Sequence, residues 1–279
     1  MRGLRSAVSA LALAVTLAGC ANDPFTDSIR PRQTADSPDS PTDRVTPILR
    51  VAQATERGGD LRSAVGLYRR AHSMDPHRYE PLIGLADGLA RLGAADEAAE
   101  AYRAAIALRP RDVVALRGLG NQLLALGQPA QAILQLEAAL DQGPDARIYN
   151  SLGVAHDVQG DHPGAQAFYR AGLDVDPASM ALRGNLALSL VLASRYNEAI
   201  ELLKPMAFGP SATPRLRQNL ALAYGLSGDM DSAARVSRVD LDESTVRHNL
   251  SYYSTLRAMP DRRTILRALR ESGAFGGAE

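Results

Sequence analysis

Residues 79–112 read YEPLIGLADGLARLGAADEAAEAYRAAIALRPRD, and this stretch sets the pattern of the whole chain. Apolar residues recur three or four positions apart on both sides of Gly93, as Leu82 and Leu85 do before it. This spacing predicts two amphipathic helices that are separated by the glycine and closed by Pro110. A single helix pair cannot bury both apolar faces, so units of this design must stack on one another.

The unit recurs six times between residues 45 and 242. The prolines that close successive units lie 34, 34, 33 and 33 residues apart: Pro76, Pro110, Pro144, Pro177 and Pro210. Turn glycines follow the same period: Gly59, Gly93, Gly127, Gly160 and Gly228. The expected repeats span 45–78, 79–112, 113–145, 146–179, 180–213 and 214–242. Each has two small residues where its helices cross, because interaxial distances of about 8–10 Å exclude larger ones.

These repeats resemble the tetratricopeptide repeat. The residues that match its signature are Leu82, Leu85, Ala86, Leu89, Gly93, Ala98, Tyr102, Ala105 and Pro110. Leu89 departs from the pattern, because that family usually has an aromatic residue there. The resemblance implies an all-α fold, a right-handed superhelix of about six helix pairs followed by C-terminal capping helices.

The pattern weakens toward the C-terminus. Ser194 replaces the turn glycine of the fifth repeat, and Pro205 is expected to interrupt the second helix of that repeat. A further helix is predicted over residues 243–259, and Pro260 should lead into a short last helix before a frayed tail. We therefore interpret residues 243–279 as a capping region, which terminal repeats of such arrays require.

The N-terminus has the features of an export signal. Its first twenty residues, MRGLRSAVSALALAVTLAGC, combine a basic start, an apolar run and a small-residue end. The ending Leu17 to Cys20 resembles the lipobox of bacterial lipoproteins, which implies a signal peptide over residues 1–19 and acylation of Cys20. An ordinary signal peptide with a chance cysteine is the alternative. In such lipoproteins an aspartate directly after the cysteine usually retains the protein in the inner membrane, but Ala21 stands there in this chain. The same resemblance therefore implies the outer membrane, facing the periplasm.

Residues 20–44 are predicted to be a lipidated, disordered tether. The segment is rich in Asp, Ser, Pro and Thr and has too few apolar residues to offset the entropy of ordering. The expected contact with the membrane is therefore through a lipid anchor, with the repeats held clear of the lipid surface.

Charge and motifs exclude several functions. The chain has 31 basic and 31 acidic residues, so it lacks the basic excess of a nucleic-acid-binding protein. Gly118 and Gly120 do not form a phosphate loop, because no strand precedes them. Four potential metal ligands flank one turn, but their spacing does not place them on one helix face: His156, Asp157, Asp161 and His162. We predict no catalytic residue, no metal and no cofactor, and hence a protein that is not an enzyme.

The concave groove lined by the first helices is the expected functional surface. Its projected positions are polar in the first four repeats and apolar in the last two: Gln53, Asp87, Arg117, Asn121 and Asn150, then Leu188, Val191 and Leu222. Arg117 and Asn121 match positions with which some tetratricopeptide domains clamp a terminal carboxylate, and Asn185 stands where another repeat supplies a clamp side chain. Ala181 stands where a basic residue is needed, so ordinary solvation of the groove is the alternative.

The apolar end of the groove suggests a docking site. We expect Leu188, Val191 and Leu222 to be exposed and to receive an amphipathic helix of a partner protein. The alternative is that the capping helix, with Tyr252 and Tyr253, covers these residues internally.

Residues 212–259 resemble the C-terminal region of the TadD lipoproteins of the tight-adherence (Flp) pilus assembly system. The residues that carry the resemblance include Pro214, Arg217, Gln218, Asn219, Asp240, Leu241, Asn249, Leu250, Tyr252, Tyr253, Leu256 and Arg257. Members are thought to assemble the pilus export channel as pilotin-like partners of its outer-membrane secretin.

The sequence therefore predicts an outer-membrane lipoprotein adaptor that binds a partner of the pilus assembly machinery, the secretin above all, in its groove. Two alternatives remain. One is a tetratricopeptide lipoprotein of another envelope system, such as a pilotin of another pilus or a scaffold for cell-wall synthesis. The other is an envelope enzyme whose active site the motifs do not reveal.

Overall fold

The computed structural model describes residues 41–259 and residue 264. Residues 41–259 form thirteen α-helices and contain no β-strand. The helices are α1 (Pro41–Arg57), α2 (Leu61–Met74), α3 (Tyr79–Arg91), α4 (Ala95–Leu108), α5 (Val113–Ala125), α6 (Pro129–Leu140), α7 (Ala146–Gln159), α8 (His162–Val175), α9 (Met180–Leu192), α10 (Tyr196–Ala207), α11 (Pro214–Ser227), α12 (Met230–Ser237) and α13 (Glu243–Ala258).

The helices pack in sequence order as six antiparallel pairs, α1 with α2 through α11 with α12, and α13 lies against α11 and α12. Each helix contacts its neighbours in the chain and, for the first helix of a pair, the first helix of the adjacent pair. The predicted C-terminal helix over residues 243–259 corresponds to α13. In the part of the chain described here, no helix combines the length and apolar character that crossing a membrane would require.

One boundary differs from the sequence prediction. Helix α1 begins at Pro41, inside the segment predicted to be disordered, and its first turn suits a proline because the first N–H groups of a helix have no internal partner. The signal segment, Cys20 and nearly all of the tether lie outside the described residues, as do the last predicted helix, apart from residue 264, and the tail.

Pro205 does not interrupt the second helix of the fifth repeat, as the sequence had suggested. Helix α10 continues through it to Ala207. A proline removes one backbone hydrogen bond and crowds the preceding turn, but this one stands in the last turn, where few further bonds remain to be lost.

Small residues allow the helices of each pair to approach closely. Ala86 and Ala98 are fully buried at the crossing in the second repeat. In the third repeat Gly120 serves the same purpose, because a Cβ atom added to it would lie 2.6 Å from Cγ of Leu136. The predicted crossing positions therefore coincide with tight packing in the structure.

The turns between paired helices need a residue in the left-handed backbone conformation, with positive φ. The five predicted turn glycines have φ values of 89°, 77°, 70°, 86° and 103° in chain order. Ser194 takes this role in the fifth repeat with φ of 60°, and it is the only residue other than glycine with positive φ in the described part of the chain. A side chain costs free energy in this conformation because Cβ approaches the following carbonyl oxygen.

Replacing Ser194 by glycine should therefore stabilise the protein. We expect a gain of about 0.5–1 kcal/mol, since the relief of backbone strain exceeds the added entropy of the unfolded chain. Urea unfolding followed by circular dichroism measures the change. The exposed Ser251→Gly, within α13, is the matched control and should destabilise instead, because glycine is unfavourable in a helix interior. A loss of stability in Ser194→Gly would contradict the inference that the backbone is strained at residue 194.

Candidate partner-binding groove

A cavity of about 290 Å³ opens between the first helices of three successive repeats. Helix α5 contributes Arg117 and Asn121 to its lining, and α7 contributes Asn150 and Ser151. Leu124, Ala146, Val154, Ala181 and Leu182 form the apolar part of the lining. The cavity therefore has an apolar floor with polar side chains that can orient a ligand.

A second cavity of about 190 Å³ continues the first toward the C-terminus. Asn150 and Ala181 line both cavities, so the two form one groove that runs from α5 to α11. The second cavity is also lined by Asn185 and Asn219. The structure thus places four predicted groove residues together: Arg117, Asn121, Asn150 and Asn185. That they bind a partner stays a prediction.

Hydrogen bonds hold the asparagine side chains of the groove in place. Asn185 Nδ2 donates to Asn150 Oδ1 at 2.8 Å, which links α9 to α7. Ser151 Oγ donates to Asn121 Oδ1 at 2.7 Å, which links α7 to α5. Because these amides are already oriented, a ligand would lose little side-chain entropy in binding to them.

Two arginines and an asparagine that were not predicted from the sequence also line the groove: Arg147, Arg215 and Asn219. Arg147 and Arg215 occupy, in the fourth and sixth repeats, the position that Ala181 occupies in the fifth. The repeat period could have revealed them, because Arg215 follows Ala181 by 34 residues and Asn219 follows Asn185 by the same interval. The basic residue that is missing at position 181 is therefore present at the equivalent position of both adjacent repeats.

The N-terminal end of the groove is more acidic. Asp87 is half-buried and accepts a hydrogen bond of 2.5 Å from the Tyr102 hydroxyl. Burial raises the pKa of Asp87, while the Tyr102 hydroxyl and the positive charge of Arg117 act in the opposite direction. In the same way Tyr68 donates to Glu56 at 2.8 Å, and Arg91 pairs with Glu56. Gln53, the predicted groove residue of the first repeat, is exposed on α1.

The prediction of an exposed apolar end is wrong. Leu188, Val191 and Leu222 are exposed by only 8%, 2% and 6%. They belong to one apolar cluster with Tyr253 and Leu256 of α13. Helix α9 is apolar on nearly every side and is enclosed by α7, α8, α10 and α11, which leaves no room for a partner helix on these residues.

The two histidines near the fourth turn form separate pairs with aspartates. His162 is buried and its Nδ1 lies 2.7 Å from Asp157 Oδ1, whereas His156 Nδ1 lies 2.9 Å from Asp161 Oδ2 near the surface. Asp157 also accepts hydrogen bonds from Ser189 Oγ at 2.7 Å and from the Tyr169 hydroxyl at 3.0 Å. Within the described residues no three His, Cys, Asp or Glu side chains are arranged to hold a metal ion.

These contacts give Asp157 a structural role. Ser189 on α9 and Tyr169 on α8 both donate to a carboxylate on α7, so this buried group joins the fourth repeat to the fifth. Burial and the adjacent carboxylate raise the pKa of Tyr169 well above its ordinary value, so its hydroxyl remains a donor.

Comparison with known proteins agrees with this architecture. A family model described as the tetratricopeptide repeat matches residues 50–113 and 117–179. These segments are tetratricopeptide repeats. With the helix pairs described above, they confirm the predicted all-α superhelix. Such folds are typically scaffolds for protein–protein interaction rather than enzymes.

Solved structures share this fold. MamA (residues 41 to the end) from Desulfovibrio magneticus RS-1 is 25% identical, with a TM-score of 0.55 over 58% of this chain and 92% of that chain. The pilF protein of Pseudomonas aeruginosa is 18% identical, with a TM-score of 0.61 over 76% of this chain and 100% of that chain. PilW, described as a widely conserved type IV pilus biogenesis factor, is 20% identical, with a TM-score of 0.64 over 80% and 98%. No curated protein matches the chain in sequence.

Proposed function

We propose that this tetratricopeptide protein is an outer-membrane lipoprotein adaptor that helps to assemble a pilus secretion machine of the tight-adherence (Flp) type. Acylated Cys20 holds it to the membrane, the repeats face the periplasm, and the groove binds a segment of a partner, the outer-membrane secretin. It acts as a pilotin and not as an enzyme. Two of its structural neighbours, pilF and PilW, have names that connect them to pili, although the likeness to them is one of fold alone.

The contacts of α11 with the chain that follows it are the observation that supports this proposal most. Arg217 and Asp240, two residues that carry the sequence resemblance, form a bidentate ion pair with Nε–Oδ2 and Nη2–Oδ1 distances of 2.6 Å. Tyr253, a third, packs its ring against Gly225. Three residues that carry the resemblance thus take part in contacts between α11 and the chain that follows it.

Localisation and co-purification test the proposal. In the source bacterium, affinity-tagged full-length protein should fractionate with the outer membrane and co-purify with the pilus secretin. Cys20→Ser should remain an uncleaved precursor and lose both properties, because the acyl chains supply the stable anchor. The matched control is Ser9→Ala within the apolar signal segment, which should behave as wild type.

Other results would decide against the proposal. Outer-membrane localisation of Cys20→Ser would rule out the lipid anchor. Recovery of cell-wall synthesis enzymes in place of pilus components would favour the alternative scaffold.

A further inference from the structure

We propose that the first helix pair, α1 with α2, docks on the anionic lipid headgroups of the membrane. The surface that docks, called the basic end below, consists of five exposed residues: Arg44, Arg50, Val51, Arg70 and Met74. The inference rests on the proposed function in one respect, because the lipid anchor brings this surface to the membrane.

The first helix pair is basic and the next three pairs are acidic. Residues 41–78 carry seven arginines and four acidic residues, whereas residues 79–179 carry seven arginines and thirteen acidic residues. An anionic surface attracts one end of such an array and repels its middle. The charge distribution therefore orients the array with its first helix pair toward the lipid.

Two ion pairs show which sides of α1 and α2 face the second repeat. Glu56 of α1 pairs with Arg91, and Arg69 of α2 pairs with Glu97. At 3.6 residues per turn, each residue of the basic end lies about 100–140° around its helix from these contacts. The basic end is therefore turned away from the second repeat, at the free end of the array.

The apolar residues of the basic end are exposed to solvent. The exposed fraction is 53% for Val51 and 41% for Met74. The other end of the array differs, because α13 packs there against α11 and α12. Terminal repeats of a solenoid need a polar outer face to stay soluble. Val51 and Met74 suit a different setting, the boundary between headgroups and acyl chains, where apolar side chains insert beside basic ones.

The arginines of the basic end fit lipid phosphates. Arg44, Arg50 and Arg70 are exposed, and none forms an ion pair with another residue in the described part of the chain. A guanidinium group donates several hydrogen bonds in a plane that matches the oxygen atoms of a phosphate. A second copy of this chain fits less well, because a symmetric dimer through this surface would bring the same positive charges together.

The length of the predicted tether allows the contact. Twenty residues separate Cys20 from Pro41, the first residue of α1. A flexible chain of this length spans about 25 Å, so an anchored protein keeps its first helix pair at high local concentration near the lipid. Docking would replace the expectation that the tether holds every repeat clear of the surface.

Vesicle binding tests the docking without the anchor. The mature chain, residues 20–279 with Cys20→Ser, would be mixed with vesicles of phosphatidylethanolamine and phosphatidylglycerol or with vesicles of neutral phosphatidylcholine, and bound protein measured by flotation. We expect at least about tenfold weaker binding to the neutral vesicles. Binding to the anionic vesicles should be lost in about 0.5 M salt, because the Debye length falls to about 4 Å.

Charge-matched variants locate the docking surface. Arg50→Gln combined with Arg70→Gln should weaken binding to anionic vesicles about tenfold or more, because each arginine near such a surface contributes about fivefold. The matched control is Arg103→Gln with Arg170→Gln, which removes the same charge from exposed positions of α4 and α8 and should weaken binding less than about twofold. Val51→Ser should weaken binding about twofold or more. Melting temperatures show that each variant is folded.

A fluorescent probe tests the docking in the anchored protein. In acylated protein reconstituted into anionic vesicles, a probe at Met74→Cys should be quenched by lipids that carry a spin label on the headgroup. A probe at Ser251→Cys, an exposed position of α13 at the other end of the array, is the control and should not be quenched.

Several results would overturn the proposal. They are equal binding to neutral and anionic vesicles, equal losses in the two double variants, or equal quenching at residues 74 and 251. Absence of binding by the unanchored chain, together with no quenching at residue 74 in the anchored protein, would overturn it as well. The proposed function fails separately. Docking of the mature chain on anionic vesicles, with Cys20 found unmodified in the bacterium, would reject only the anchor, whereas an acylated protein without quenching at residue 74 would reject only the docking.

Discussion

Replacing Asp157 by alanine is expected to lower the free energy of unfolding by about 3–5 kcal/mol. Its carboxylate accepts hydrogen bonds from Ser189 Oγ and the Tyr169 hydroxyl and lies 2.7 Å from His162 Nδ1. All of these partners are buried, with exposed fractions of at most 2%. Removing the acceptor would leave polar groups without partners where water cannot reach them, and each costs about 1–3 kcal/mol.

Urea unfolding monitored by circular dichroism measures this loss. Asp174→Ala is the matched control, because Asp174 is an exposed carboxylate on α8 and its removal should change stability by less than about 0.5 kcal/mol. Asp157→Asn keeps one acceptor and should lose less than Asp157→Ala. If Asp157→Ala were as stable as the control, Asp157 would not join the two repeats as the structure indicates.

Replacing Gly225 by alanine should cost about 1–3 kcal/mol of stability. A Cβ atom at this position would lie 2.3 Å from Cδ2 and 2.6 Å from Cγ of Tyr253, at the base of the ring, where a small rotation cannot relieve the contact. Tyr253 is buried, and burial raises the pKa of its hydroxyl to about 12. Helix α13 would therefore have to move away from α11.

A second substitution tests whether the ring is the cause. Tyr253→Leu in the Gly225→Ala protein should cost less than it costs in the wild type, and a double-mutant cycle measures the difference. Gly66→Ala is the matched control, because a Cβ atom there has no neighbour within 4 Å and alanine favours the helix α2. Additive effects of the two substitutions would show that the ring and the glycine do not oppose each other.

Local rules explain why most of the fold could be predicted from the sequence. Gly93 and Gly228 mark turns that need positive φ, and small residues such as Ala98 mark helix crossings. The boundaries of a repeat can therefore be predicted from the residues of that repeat alone. The same periodicity projected Asn150 and Asn185 onto one surface, and the structure places them 2.8 Å apart through Nδ2 and Oδ1. Applied one repeat further, it would also have found Arg215 and Asn219.

Exposure could not be predicted in this way. Leu188 and Leu222 occupy groove positions by register, but whether such a position is open depends on how tightly neighbouring repeats close around it. That is a property of several helices together and not of one repeat. The buried contacts of Asp157 were missed for a similar reason, because they join residues 12 and 32 positions apart.

The packing of each helix almost entirely against its neighbours in the chain bears on the order in which the protein folds. During synthesis from the N-terminus, the first repeats can fold before the last residues of the chain are made. Each helix packs against helices close to it in sequence, so every new contact closes only a short loop of chain. The final step is different. The face of α11 around Gly225 is covered only when Tyr253 of α13 packs against it, so this C-terminal surface is the last to be buried. A chain that is truncated before α13 would leave this apolar surface exposed and would be prone to aggregate.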